Sequence, residues 1–293
     1  MNYTELNNGV KIPNLGIGTY LIKSDDAERS VKQALEMGYR LVDTAHLYFN
    51  EEAVGRAIKA SGVKREEIFV STKLWPCDYK NENAVEEALQ RLGLDYIDLL
   101  FLHQPTGDYI AGYKLLEKAY KEGKIKSIGV SNFDGKQIEE ILEKFETVPQ
   151  VNQVECHPYF TQEELRKVME PKNIKIMSWF PLGQGDANLI NESVFTELAK
   201  KYNKSNAQII LKWHIQMGFL VIPGSKNVDH IRDNFNLFDF ELTDEDMAKI
   251  ETVNKHKKYA ELGKMGNMYN LIYFYHKLIL KYNFNFLVKK YGT

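Results

Sequence analysis

Nearly continuous apolar runs alternate with amphipathic stretches along almost the whole chain. The runs are LGIGTY (15–20), YRLVD (39–43), IFVSTK (68–73), YIDLLFLH (96–103), IKSIGVS (125–131), QVNQVE (150–155), IKIMSWF (174–180) and FLVIP (219–223). Runs of this length and β-branched content predict strands buried on both faces, as in a parallel sheet. Between them the apolar period changes to that of a helix. Residues 25–38 place Ala27, Val31, Ala34 and Leu35 on one face. Residues 81–93 do the same with Val85, Ala88, Leu89 and Leu92, and Gly93 stands where a helix would stop. Asn50 is placed to cap a helix over EEAVGRAIKA, residues 51–60. Ahead of this rhythm, Asn8-Gly9 between two short β-prone segments predicts an N-terminal β-hairpin.

Eight strand–helix units without a Pro-, Gly- or Ser-rich linker predict one α/β domain, a (β/α)8 TIM barrel, over residues 1–254. A doubly wound open sheet competes, but it usually opens its first helix with GxGxxG, and LGIGTY does not continue that way. In a barrel, the C-terminal strand ends form one functional face. Asp43, Lys73 and His103 end three successive strands, Tyr48 follows Asp43 in its loop, and Ser131, Asn132 and Gln153 lie at later strand ends. An Asp-supported Lys near a Tyr would favour the phenolate and lower the phenol's pKa from about 10. A neighbouring His would polarise a carbonyl. Taken singly, each residue reads as packing, an ion pair or a core histidine; the joint placement points to carbonyl chemistry.

Composition narrows the class. The 293 residues are 44% hydrophobic and 27% charged, with a net charge of -2, so neither nucleic acid nor an anionic membrane surface is an expected partner. Cys77 and Cys156 are too few and too far apart for a zinc motif, and they read as free thiols of a reducing compartment. The first residues carry no apolar signal region, and no run approaches the roughly 20 apolar residues of a membrane span. The expectation is a cytoplasmic protein without a metal, monomeric or weakly homo-oligomeric.

Several segments resemble the aldo-keto reductase family, over residues 5 to about 254. They are DTAHLYFNEEAVG (43–55), STKLW (71–75), LFLHQP (100–105), IGVSNF (128–133), QVNQVECHPY (150–159), SWFPLGQG (178–185) and IPGSKNVDHIRDN (222–234). The resemblance implies NAD(P)H-dependent reduction of aldehydes and small ketones. Tyr48 would be the proton donor, tuned by Asp43 and Lys73, with His103 orienting the carbonyl. Gly18, Thr19 and Asp43 would line the cofactor site. Ser131, Asn132 and Gln153 would hold the carboxamide, Trp179 would stack on the nicotinamide, and Leu182, Gly183 and Gln184 would follow the pyrophosphate. Ser225, Lys226 and Asn234 would meet the adenosine end, with Arg232 near the 2′-phosphate. NADPH-preferring relatives often carry IPKS and a later Arg, where this chain has Gly224 and His230. NADPH is expected, with NADH possible. Tyr20, Phe49, Trp75, His103 and Gln104 would line the pocket for a small carbonyl substrate.

The tail, residues 255–293, departs from the family. It contains no proline and is dense in Tyr, Asn, Phe and Lys. Leu271, Phe274, Leu278, Ile279 and Tyr282 predict a helical stripe packing on the barrel or on a partner. Two other functions compete with the reductase. One is an NADPH-binding regulatory or sensor subunit with slow turnover, which the tail favours. The other is a phosphosugar isomerase barrel, which would leave Tyr48 with Lys73 unexplained.

Overall fold

The computed structural model describes residues 2–260, and those up to Tyr259 form one compact unit. The stripe expected over residues 271–282 lies outside the described residues. The chain opens with the expected hairpin, β1 (Tyr3–Glu5) against β2 (Lys11–Pro13), turning at Gly9 with φ 82°. Eight parallel strands follow: β3 (Ile17–Gly18), β4 (Leu41–Asp43), β5 (Phe69–Leu74), β6 (Leu99–Leu102), β7 (Ile128–Ser131), β8 (Val151–Glu155), β9 (Lys175–Trp179) and β10 (Leu220–Val221). Each pairs with its neighbour in sequence order from β3 to β10. The sheet closes on itself just before β3. Leu15 bridges Val221, Gly16 N–H donates to Val221 O at 2.8 Å, and Val221 N–H donates to Asn14 O at 2.9 Å. Seven of the eight predicted runs contain one of these strands whole, β5 runs one residue past the remaining run, and the closed parallel sheet is a TIM barrel.

Helices α1 (Ser24–Met37), α2 (Glu51–Ala60), α3 (Ala84–Leu92), α4 (Tyr109–Lys121), α5 (Gly135–Lys144) and α6 (Glu163–Met169) separate the first seven barrel strands. Then come α7 (Ala187–Ile190), α8 (Ser193–Tyr202) and α9 (Asn206–Gln216) before β10, with α10 (Val228–Phe235) and α11 (Asp244–Glu251) after it. The predicted faces of α1 and α3 are buried, and Gly93 ends α3 at φ 63°. Among the described residues, no helix is long and apolar enough to cross a membrane.

Two apolar cores follow from the period-2 alternation of the strands. One lies between strands and helices and includes Val42, Val70, Leu100 and Val130. The other fills the barrel: Leu41, Phe69, Leu99, Phe101, Val151, Met177 and Leu220, with Leu6 and Ile12 of the hairpin region in the same cluster. The inward parity continues from these residues to Asp43, to Ser71 and Lys73, to His103, to Gln153 and to Trp179. The strand pattern that fills the barrel with Leu and Phe therefore delivers polar groups to its C-terminal mouth.

Helix α2 packs closely on α3 at Gly55, where a Cβ would lie 2.0 Å from the Leu92 carbonyl oxygen. Gly55→Ala gains helix propensity of about 1 kcal/mol, but the clash is with backbone that has no rotamer to give. The expected outcome is a net loss of about 1–3 kcal/mol, measurable as a Tm lowered by several degrees. An unchanged Tm would show that the two helices can separate freely.

Candidate active site

Asp43 and Lys73 form a buried ion pair at the mouth, Lys73 Nζ lying 2.6 Å from Asp43 Oδ2. Lys73 also donates to Thr44 O at 2.8 Å. The other carboxylate oxygen, Asp43 Oδ1, accepts from Ser71 Oγ at 2.8 Å and from Gln153 Nε2 at 2.9 Å. All donors to this carboxylate come from inward positions of β5 and β8. Tyr48 closes the pair from above its own short 3-10 turn, His46–Tyr48, with the Lys73 ammonium 4.8 Å from its ring centre. The His103 ring stands edge-on to Tyr48 at 5.8 Å and to Trp75 at 5.0 Å. The four residues singled out in the sequence are thus brought together.

Their electrostatics differ from expectation in one respect. Burial, then the Asp43 charge, then Tyr20, hold the Tyr48 phenol well above its ordinary value. The sequence predicts a lowered phenol because Lys73 is near. The reversal arises because the half-buried phenol is surrounded more by protein than by water and because the ammonium is bonded to Asp43, whose negative charge opposes it. Burial likewise lowers Lys73, with Asp43 opposing the shift. His103 is driven well below the usual imidazole range, by burial first and then by Lys73 and His46. At neutral pH Tyr48 therefore keeps its proton and His103 is uncharged, with its Nδ1 buried and without a hydrogen-bond partner among the described residues.

A second group of predicted residues forms a linked row beside the tetrad. Asn132, at φ 65°, donates from Nδ2 to His103 O (3.2 Å) and to Ser131 Oγ (3.1 Å). Its Oδ1 accepts from the indole Nε1–H of Trp179 at 3.0 Å. The indole is fixed in orientation on a half-buried ring. Residues 14–255 match the Aldo/keto reductase family.

The chain belongs to the aldo-keto reductase family. It is 46% identical to the glyoxal reductase of Bacillus subtilis over 259 residues, 87% of this chain and 93% of that protein. It is 44% identical to the 9,11-endoperoxide prostaglandin H2 reductase of Trypanosoma cruzi over 264 residues, 88% and 93% of the two chains. Among solved structures, the aldo-keto reductase MGS-M4 from a Medee basin deep-sea metagenome library is similar, with a TM-score of 0.84 and 40% identity. The likeness covers 88% of this chain and 97% of that one.

The remaining predicted residues of this aldo-keto reductase are distributed around the mouth. The loops after β3 and β10 meet closely: a Cβ at Gly18 would lie 2.6 Å from Ile222 O, and one at Gly224 would lie 3.0 Å from Gly18 O. Thr19 is buried and donates from Oγ1 to Asp43 O at 3.1 Å. Gly183 (φ 58°) and Gln184 (φ 57°) turn the loop after β9, and Leu182 is half-buried. A Cβ on Gly183 would meet the Tyr259 ring at 2.8 Å. Ser225 bonds the backbone of Asn227, at the start of α10. Lys226 is exposed there, and Asn234 is buried. Arg232 instead pairs with Asp229 at 2.7 Å. In the expected pocket, Tyr20 is half-exposed and Phe49 half-buried, while Trp75 and Gln104 are buried, the backbone of Gln104 bonded to the Tyr79 hydroxyl.

Asn50 is a correction. It precedes α2, but its side chain makes no cap bond. At φ -129° and ψ 11° it turns instead into the barrel mouth. There its Nδ2 donates to Thr19 O (3.0 Å) and Ile22 O (2.9 Å), and its Oδ1 accepts from Thr44 Oγ1 (2.7 Å). The side chain thus satisfies buried loop carbonyls rather than the helix end. Sequence reasoning also missed Ser71 and Thr44. The signal was available for Ser71, which shares the inward parity of Lys73. It was absent for Thr44, whose carbonyl accepts from Lys73 and whose hydroxyl donates to Asn50.

Proposed function

We propose that this aldo-keto reductase reduces aldehydes and small ketones to alcohols with NADPH, NADH serving less well. The observation that carries the reading is the buried Asp43–Lys73 pair against a protonated Tyr48, with a neutral His103 alongside. When bound, the cofactor supplies hydride to the carbonyl carbon. His103 donates a hydrogen bond that fixes and polarises the carbonyl oxygen. Tyr48 passes its phenolic proton to that oxygen as negative charge develops, and Lys73 stabilises the phenolate left behind. The raised phenol pKa keeps the proton on Tyr48 until a developing alkoxide, more basic than a phenolate, takes it.

The residues present fit a nicotinamide. Ser131 Oγ accepts from Asn132 and retains its own proton to donate. Gln153 engages Asp43 through Nε2, and its Oε1 takes no hydrogen bond among the described residues. A carboxamide offers the complementary acceptor and donor. Trp179, held by Asn132, offers a flat face for the ring. The 2′-phosphate would meet Lys226 and the first turn of α10, where helix N–H groups favour an anion. The glyoxal reductase relative supports including α-dicarbonyls among the substrates to be tried.

The test follows the loss of reduced-nicotinamide absorbance with an aldehyde and ketone panel, using NADPH and NADH side by side. Lys226→Ala is expected to weaken NADPH about tenfold, equivalent to one charge-assisted hydrogen bond of ~1.5 kcal/mol, and NADH by less than twofold. Binding titrations by intrinsic fluorescence check this, and equal losses for both would remove the phosphate role from Lys226. Tight cofactor binding with no turnover on any carbonyl would favour a cofactor-sensing subunit instead.

A further inference from the structure

Tyr48 stands on very little regular backbone. Its 3-10 turn, His46–Tyr48, is three residues long and ends at Phe49 with φ 54°. Turns of this kind have poor hydrogen-bond geometry, and a bulky residue in the left-handed region is strained, which persists only where surrounding structure enforces it. The turn therefore depends on side-chain ties to its neighbours. His46 makes such a tie: its Nδ1 lies 2.7 Å from Asp78 Oδ2, so the loop after β4 is joined to the loop after β5. The two side chains are only 15% and 11% exposed, unlike a solvated surface ion pair, which contributes little. Burial pushes the Asp78 carboxyl up, but the His46 bond and charge, the Trp75 N–H and Arg91 together hold it below its ordinary value. An ionised carboxylate can only accept, so the shared proton sits on His46 Nδ1. The same oxygen, Asp78 Oδ2, accepts from the backbone N–H of Trp75 at 3.1 Å. The Trp75 indole and the Tyr48 ring both stand edge-on to His103. The contacts close a circuit that runs from Tyr48 to His103, Trp75, Asp78 and His46, and back along the turn to Tyr48.

We propose that His46 and Asp78 are positioning residues for the reduction, their hydrogen bond fixing the two loops whose rings flank His103. Neither touches the reacting atoms. The inference rests on the reductase reading and adds to it the pair that sets the geometry of its two proton-bearing groups. The proton of Tyr48 and the hydrogen bond of His103 must converge on one carbonyl oxygen, and a misplacement of about 1 Å costs about 10²-fold in rate. The residues assigned to the nicotinamide ring stand on β7, β8 and β9 rather than on these two loops. Opening the circuit therefore acts on kcat and leaves cofactor affinity nearly as it was.

The experiment measures kcat and KM for an aldehyde, cofactor affinity by fluorescence titration, and Tm. The variants are His46→Ala, His46→Asn, Asp78→Ala and the double alanine variant. His46→Ala is expected to lower kcat about 10–100-fold, with cofactor affinity held within about twofold. The Nδ2–H of asparagine stands where Nδ1–H of histidine does, so His46→Asn keeps the donor to Asp78 and should bring kcat back to within about threefold of wild type. The double variant should lose no more than Asp78→Ala alone, because a circuit already open cannot be opened again. A merely structural pair would lower Tm and leave the kcat of the folded enzyme unchanged. A kcat for His46→Ala close to that of wild type would thus overturn the proposal whatever its Tm. So would losses that multiply in the double variant, or an asparagine at position 46 that restores nothing. Wild-type enzyme without Tyr48-dependent turnover on any aldehyde would overturn the reductase reading itself, an outcome separate from all of these.

Discussion

Replacing Tyr48 by Phe is expected to lower kcat for carbonyl reduction by about 10²–10⁴-fold, the usual contribution of a positioned proton donor. Only the hydroxyl is removed. The ring, with its contacts to Tyr20, His103 and the Lys73 ammonium, remains. Cofactor affinity, read by fluorescence titration, should therefore stay within about twofold, and Tm should hold. The phenol is burdened by burial and by the Asp43 charge, so in wild type its protonated form persists through neutral pH and reduction should not fall off on the alkaline side near pH 8. Near-normal turnover in the variant would transfer the proton-donor role elsewhere, with His103 the first alternative to examine.

Lys73→Met should have effects of similar size on activity and a large effect on stability. The ammonium is fully buried and bonded to Asp43 Oδ2 and Thr44 O. Removing it leaves the Asp43 carboxylate in the barrel with Ser71 and Gln153 as donors and no counter-charge. Breaking one side of a buried pair typically costs about 3–5 kcal/mol. For a barrel of this size that lowers Tm by about 6–20 °C. Turnover falls because the phenolate formed on proton transfer loses the Lys73 cation beside it. The double variant Lys73→Met/Asp43→Asn separates the two effects. It should recover most of the lost stability, since no isolated charge remains, and recover none of the activity. Stability that stayed low in the double variant would show that packing of the Lys73 stem, rather than charge, is what the barrel requires. Wild-type turnover in the single variant would remove Lys73 from the chemistry.

The limits of sequence reading show best at particular residues. The phenol's direction of shift was misjudged because proximity of Lys73 to Tyr48 is visible in the motif, whereas the balance of burial against two opposed charges is a property of the enclosed site. Asn50 was assigned to a helix cap because Asn before a helix is a local rule. Its actual partners, Thr19, Ile22 and Thr44, lie on two loops whose approach depends on barrel closure. Arg232 was offered to a phosphate, and the helix places it one turn from Asp229, which takes it.

The sequence by itself determined the eight strands, their order, the closed barrel they imply, and the set Asp43, Tyr48, Lys73 and His103. These rest on local periodicity and on which strand end each residue occupies, and both are written in consecutive residues. Tertiary structure alone decided how the charges combine, which loop carbonyls are satisfied by Asn50, and that His46 meets Asp78 across two loops. Those properties arise where segments distant in sequence exclude water from one another, and no single segment carries that information.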